Sequence, residues 1–152
     1  MTAFVTAGAG FLLAVLWFDL MFDVHGLRGR RAAGDLPEEA LASISAYYSR
    51  VTTGARPMNR LVAVVMLATV AAVVGQLVEG DAPDWVAWVS LALIVVAVAI
   101  AGGRTVPSAR RLGTRRDGIA VQRGLARAIL RDHLICLAAI ASVLVLQLGW
   151  AR

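Results

Sequence analysis

The chain has 152 residues, 59% of them hydrophobic and 16% charged, with a mean hydropathy of +0.74. A soluble domain is nearer half apolar and a quarter charged, so composition argues against a water-soluble globule. The net charge is +5 and all 15 basic residues are Arg, but no compact soluble basic domain carries them, which disfavours nucleic acid as a partner and points to membrane topology.

Residues 1–18, 61–78, 85–103 and 134–151 contain no charged side chain. Each run approaches the ~20 residues that cross a ~30 Å hydrocarbon layer as a helix, and none shows the period-two alternation of a barrel strand. The sequence therefore predicts an all-α integral membrane four-helix bundle, one transmembrane domain over 1–152, with helices at about 3–25, 58–78, 84–104 and 124–149. The first run has no basic residues before it and ends in Asp-rich sequence, so it reads as a retained helix and not a signal peptide. The single cysteine, Cys136, lies in the fourth run; it cannot form an internal disulfide and reads as a small buried hydrophobe.

The connection after the first helix carries Arg28, Arg30, Arg31, Arg50 and Arg56, and contains "GDLPEEALASISAYYSRVTTG". Asp35 as N-cap, Pro37 in the first turn and Glu38 three after Asp35 open a helix. Leu41, Ile44, Tyr48 and Val51 recur at helical spacing, which predicts a short amphipathic interfacial helix over about 36–53 with Tyr47 and Tyr48 at headgroup level. A lid over a site at the bundle mouth is the alternative. The second connection, 79–83, holds Glu79 and Asp81 and no base. The third, 105–123, holds Arg110, Arg111, Arg115, Arg116 and Arg123, flanked by Arg104, Arg127 and Arg131. The positive-inside rule puts the first and third connections in the cytoplasm and both termini outside, N-out/C-out, in a cytoplasmic (inner) membrane. Arg123, Arg127 and Arg131 form a stripe suited to anionic lipid headgroups, or to an anionic substrate. Trp85, Trp88 and Trp150 form an aromatic belt at the other face. The small residues Ala7, Gly8, Ala9 and Gly10 and the pair Gly102–Gly103 permit close helix contacts, within the bundle, in a homodimer or in a larger membrane complex.

Chain reversal brings four polar helix ends to one level. Asp19, Asp23 and His25 close the first helix in "LAVLWFDLMFDVHG"; Asn59 and Arg60 open the second; Arg104 ends the third; Arg131, Asp132 and His133 enter the fourth. Asp19 lies about 6 Å deeper than Asp23 on the same face. A carboxylate at mid-bilayer costs roughly 2.5–3.5 kcal/mol, so it should face the bundle and find a partner, for which Arg60, Arg104 and Arg131 are available. Three readings follow. The charges can form an ion-pair network that fixes helix register. Asp19, Asp23, Asp132 and His133 can ligate a divalent metal; haem is disfavoured by the two histidines and the charged pocket. Asp19 and Asp23 with His133 can handle protons or a substrate that Asn59, Arg60, Arg104 and Arg131 would orient.

"RPMNRL" opening the second helix, "TVPSARRLG" after the third and "LARAILRDHL" entering the fourth resemble the anthrone-oxygenase-like family of small four-helix bacterial membrane proteins. Pro107, Arg111 and Leu112 match that family's motif after the third helix, with Ala109 where an Asn is usual. Arg131 and His133 match its fourth-helix pair in reversed order. The resemblance implies a cofactor-poor oxidative enzyme acting on a small aromatic, polyketide-like substrate. The functional expectation is thus a membrane protein with a polar ligand or metal site at its cytoplasmic mouth. The alternatives are a non-catalytic accessory or scaffolding subunit whose charges only organise the bundle, and a small proton-coupled transporter.

Overall fold

The computed structural model describes residues 1–24, 37–54 and 56–150. His25, Arg28, Arg30, Arg31 and the predicted N-cap Asp35 lie outside the described residues. The elements are α1 (Thr2–Asp23), α2 (Glu38–Ser49), α3 (Arg56–Glu79), α4 (Asp84–Ile100), α5 (Val106–Thr114) and α6 (Ile119–Trp150). Two wide, π-type turns, Arg50–Gly54 and Ala101–Thr105, join α2 to α3 and α4 to α5. Four helical stretches are long and apolar enough to cross a membrane: Thr2–Asp23, Pro57–Glu79, Asp84–Thr114 and Ile119–Trp150.

The spans form a ring. Among the described residues α1 packs on α3 and α6, and α4 packs on the same two, while the backbones of the diagonal pairs stay apart. Val5 and Leu12 of α1, Val73 of α3, Ile94 of α4 and Ile140 and Val143 of α6 fill the centre. Gly8 is needed where α1 meets α3: a Cβ there would collide with Thr69 Oγ1. Gly102 and Gly103 are different, because a Cβ on either meets nothing within 4 Å. Among the described residues that pair provides no close helix contact; it belongs to the wide turn, where an i→i+5 bulge interrupts the α-helix.

Two departures from the sequence reading concern the polar end. The third connection is not a loop but contains α5, with Pro107 in its first turn, where a missing N–H costs nothing. α5 stops at Arg115, whose φ of 51° is left-handed. And α2 does not present its apolar face to lipid. Leu41, Ile44 and Tyr48 pack on Ala109 and Leu112 of α5 and Ala126 and Ile129 of α6, forming a second core. The contact with α5 is tight: a Cβ at Gly113 would meet the Ser49 backbone nitrogen at 2.9 Å. Glu38 pairs with Arg115, tying the start of α2 to the end of α5; its expected capping box with Asp35 falls outside the described residues.

Candidate functional site: a buried carboxylate–tyrosine–histidine cluster

Asp19 and Asp23 are on one face of α1, four residues apart, as 3.6-residue periodicity requires. α6 crosses that face and brings in His133, while α2 covers the mouth and supplies both tyrosines. Tyr48 Oη donates to Asp23 Oδ1 at 2.6 Å and Tyr47 Oη donates to Asp19 Oδ1 at 2.6 Å. His133 Nδ1 is 2.6 Å from Asp23 Oδ2; with Asp23 a carboxylate, which only accepts, the ring proton is on Nδ1. His133 Nε2 faces Asp19 Oδ2 at 3.9 Å, closing the group. Phe22 stacks on Tyr47 with ring centroids 3.9 Å apart. Asp23, Tyr48 and His133 are all buried. Burial, first, and then the Asp23 charge push the Tyr48 hydroxyl well above its ordinary value; burial and the hydrogen bond to Asp19 do the same to Tyr47.

The sequence thus brings Asp19, Asp23 and His133 to one place, but the expected cationic partners go elsewhere. Tyr47 and Tyr48, expected at headgroup level, point inward and satisfy the two carboxylates. Arg104 and Arg131 approach Asp132, a separate buried carboxylate: Arg104 Nη2 is 3.1 Å and Arg131 Nε 3.8 Å from its Oδ1. Arg60 is exposed and makes no ion pair among the described residues. Asn59 Nδ2 donates to the Val51 carbonyl at 2.6 Å, pinning the corner between α2 and α3. Asp132 is therefore not grouped with Asp19, Asp23 and His133, and among the described residues no three His, Cys, Asp or Glu side chains are arranged to hold a metal ion. Beyond the cluster, Arg111 grips Asp117 with two 2.8 Å hydrogen bonds, and that grip holds the Asp117 carboxyl below its usual range.

A second polar group at the other end of the bundle joins all four spans. Gln76 Nε2 of α3 donates to Gln147 Oε1 of α6 at 2.8 Å, and Gln147 Nε2 returns a bond to Gln76 Oε1 at 3.1 Å. Gln147 Nε2 also reaches Ser90 Oγ of α4, and Gln76 Nε2 reaches Thr2 Oγ1 of α1. Sequence reasoning passed over this clasp because neither Gln is charged. The signal was there: in the uncharged runs 61–78 and 134–151 these are the only amide side chains.

Four spanning helices, a buried polar cluster under a capping helix and a glutamine clasp define a small polytopic membrane protein. The sequence model of the SHR3 chaperone family, described as ER membrane protein SH3, matches residues 1–151. The chain belongs to this family. That match replaces the anthrone-oxygenase-like resemblance, which rested on a few motif residues: Pro107 and Arg111 lie in an amphipathic helix, and the Arg131–His133 order is reversed. The expected bacterial inner-membrane location likewise gains no support from a family described by the ER membrane. No curated protein and no solved structure matches the chain.

Proposed function

We propose that the chain is a non-catalytic membrane chaperone, a single transmembrane domain of the ER membrane that assists other membrane proteins. The observation that carries this reading is the match to an ER membrane chaperone family over residues 1–151. The site geometry agrees with it. Both tyrosine hydroxyls and the His133 Nδ1–H are used on Asp19 and Asp23 inside the chain, so the cluster acts as a lock that docks α2 across α1 and α6. Client contact falls to the apolar faces of the ring, where Phe4, Leu67, Val64, Trp88 and Val145 are each more than half exposed. In lipid such faces cost little, and a client helix can replace lipid there by packing alone.

The test is synthesis of a polytopic transporter in ER-derived microsomes with and without this protein. The readout is the fraction of client extracted in mild detergent as a monodisperse species. The chain is expected to raise that fraction and Asp23→Asn to raise it less, with helical content checked by circular dichroism. An unrelated four-span protein raising the client yield equally would sink the proposal.

A further inference from the structure

We propose that the seam between α4 and α6 holds one anionic phospholipid, its phosphate on Arg104 and Arg131 and an acyl chain in the apolar groove beyond them. The inference is independent of the chaperone reading.

Arg104 belongs to the wide turn after α4 and Arg131 to α6, yet both are drawn to one atom, Asp132 Oδ1, at 3.1 and 3.8 Å. The carboxylate is buried, with 2% of its side chain exposed, while the Arg104 and Arg131 side chains are 53% and 63% exposed. One buried negative charge therefore braces two outward guanidiniums and leaves a surplus positive charge. Among the described residues Asp132 Oδ1 forms no hydrogen bond, so it holds the two arginines by charge. Each guanidinium carries five N–H groups in a planar fork that suits phosphate oxygens. Basic pockets between spans on the positive side are where lipid headgroups are recognised.

Three other arginines are placed differently. Arg111 and Arg115 are held by Asp117 and Glu38, and Arg60 opens α3, which lies diagonal to α6 in the ring. Arg131, the last of the stripe expected from the sequence, is thus joined to Arg104 across two helices.

The apolar half of the site is on the same seam. A groove of about 450 Å³ is lined by Val89 and Leu93 of α4 and by Ala141, Ser142, Val145 and Leu146 of α6, with Trp150 at its end. α4 and α6 run antiparallel, and the register closes. Leu93 lies eleven residues before Arg104, and Ser142 eleven after Arg131. At 1.5 Å per residue each is about 16 Å from the arginine pair, which is half of a ~30 Å hydrocarbon layer. A chain descending from a phosphate on Arg104 and Arg131 thus arrives in the groove at mid-membrane. The inner side of the seam is closed by α1 and α3, so the groove opens to lipid.

The experiment uses the full chain in mild detergent micelles doped with phosphatidylserine or, at equal mole fraction, phosphatidylcholine. Native mass spectrometry counts retained lipid and thermal unfolding reads stabilisation. One phosphatidylserine is expected to be retained and to raise the midpoint. Arg104→Gln/Arg131→Gln should weaken its binding about twenty-five-fold, at about fivefold per guanidinium near the surface. The charge-matched control Arg110→Gln/Arg116→Gln should keep it. Asp132→Asn keeps both arginines but removes the charge that braces them, so binding should weaken, though less than in the arginine double variant. Leu93→Trp, which fills the groove and spares the arginines, should weaken it. The last two variants keep the test decisive if the arginine double variant fails to fold. Equal retention of the two lipids, equal loss in both arginine double variants, or binding unchanged by Asp132→Asn would overturn the proposal. So would the same stabilisation by inorganic phosphate alone, which would mark a free-anion site.

Discussion

Asp19 was the conspicuous residue of the sequence, a carboxylate inside an apolar run, and its partner is a tyrosine. A hydroxyl answers a carboxylate in low dielectric without adding a second ion that must be desolvated, and a partnered buried ion pair often gains little over a neutral arrangement. The sequence made the meeting of Asp19, Asp23 and His133 legible because helical period and span depth fix which residues share a level. It did not make Tyr47 and Tyr48 legible as partners. Their helix lies outside the spans, and its rotation about its own axis is set by packing on α5 and α6, which no local pattern encodes. The chain has two tyrosines, so a spectrophotometric titration reads this cluster alone. Both hydroxyls are raised by burial and by the neighbouring aspartates. A raised folded value stabilises the fold fully below the unfolded value of about 10, and that stabilisation disappears as pH climbs through the folded value. Tyrosinate absorbance in micelles should stay flat through pH ~10 and then rise together with loss of helical signal. Ionisation near pH 10 with the helices intact would show that the rings face water and that the lock is absent.

At the scale of elements, two polar groups at opposite ends hold the ring in register. The Asp–Tyr–His cluster ties α1, α2 and α6, and the Gln76–Gln147 clasp ties α1, α3, α4 and α6 through Thr2 and Ser90. The clasp should show the asymmetry of a buried amide pair. Gln147→Leu leaves the Gln76 amide without its main partner in an apolar surround and should cost about 1–3 kcal/mol. Gln76→Leu/Gln147→Leu removes both polar groups and should recover much of that loss, because apolar replacement of both partners is close to neutral. Thermal unfolding in micelles measures both, and a double variant as weak as the sum of the singles would mean that the amides act independently. The spans themselves were legible from four uncharged runs. α5 was not: "VPSARRLGTRRDG" is dense in Arg, Gly and Pro and reads as a loop, yet Pro107 falls in a first turn and Leu112 reaches the α2 core. What made it a helix was a partner, α2, 57 or more residues away in the chain.

At the scale of the molecule, the charge distribution is a statement about orientation. α2, α5, both wide turns and the start of α6 lie at the end that carries Arg50, Arg60, Arg104, Arg110, Arg111, Arg115, Arg116, Arg123, Arg127 and Arg131, whereas the opposite turn offers Glu79, Asp81 and Asp84. Arginine near span ends biases orientation strongly and acidic residues weakly, so the arginine-rich end should face the cytoplasm and Pro83 the lumen. An anionic cytoplasmic leaflet would then meet the Arg104–Arg131 pair, which gives the orientation and the lipid site a common electrostatic origin. Cysteine labelling can decide it cleanly, since Cys136 is buried and is the chain's one thiol. In a Cys136→Ser background, Thr114→Cys and Pro83→Cys place a thiol at the two ends, both at exposed positions. On sealed ER-derived vesicles with their cytoplasmic face outward, a membrane-impermeant maleimide should modify Thr114→Cys directly and Pro83→Cys only after detergent. The reverse pattern would show that the arginine end is lumenal. It would also break the link to the anionic leaflet, since the Arg104–Arg131 pair and the acyl groove would then open from the opposite face.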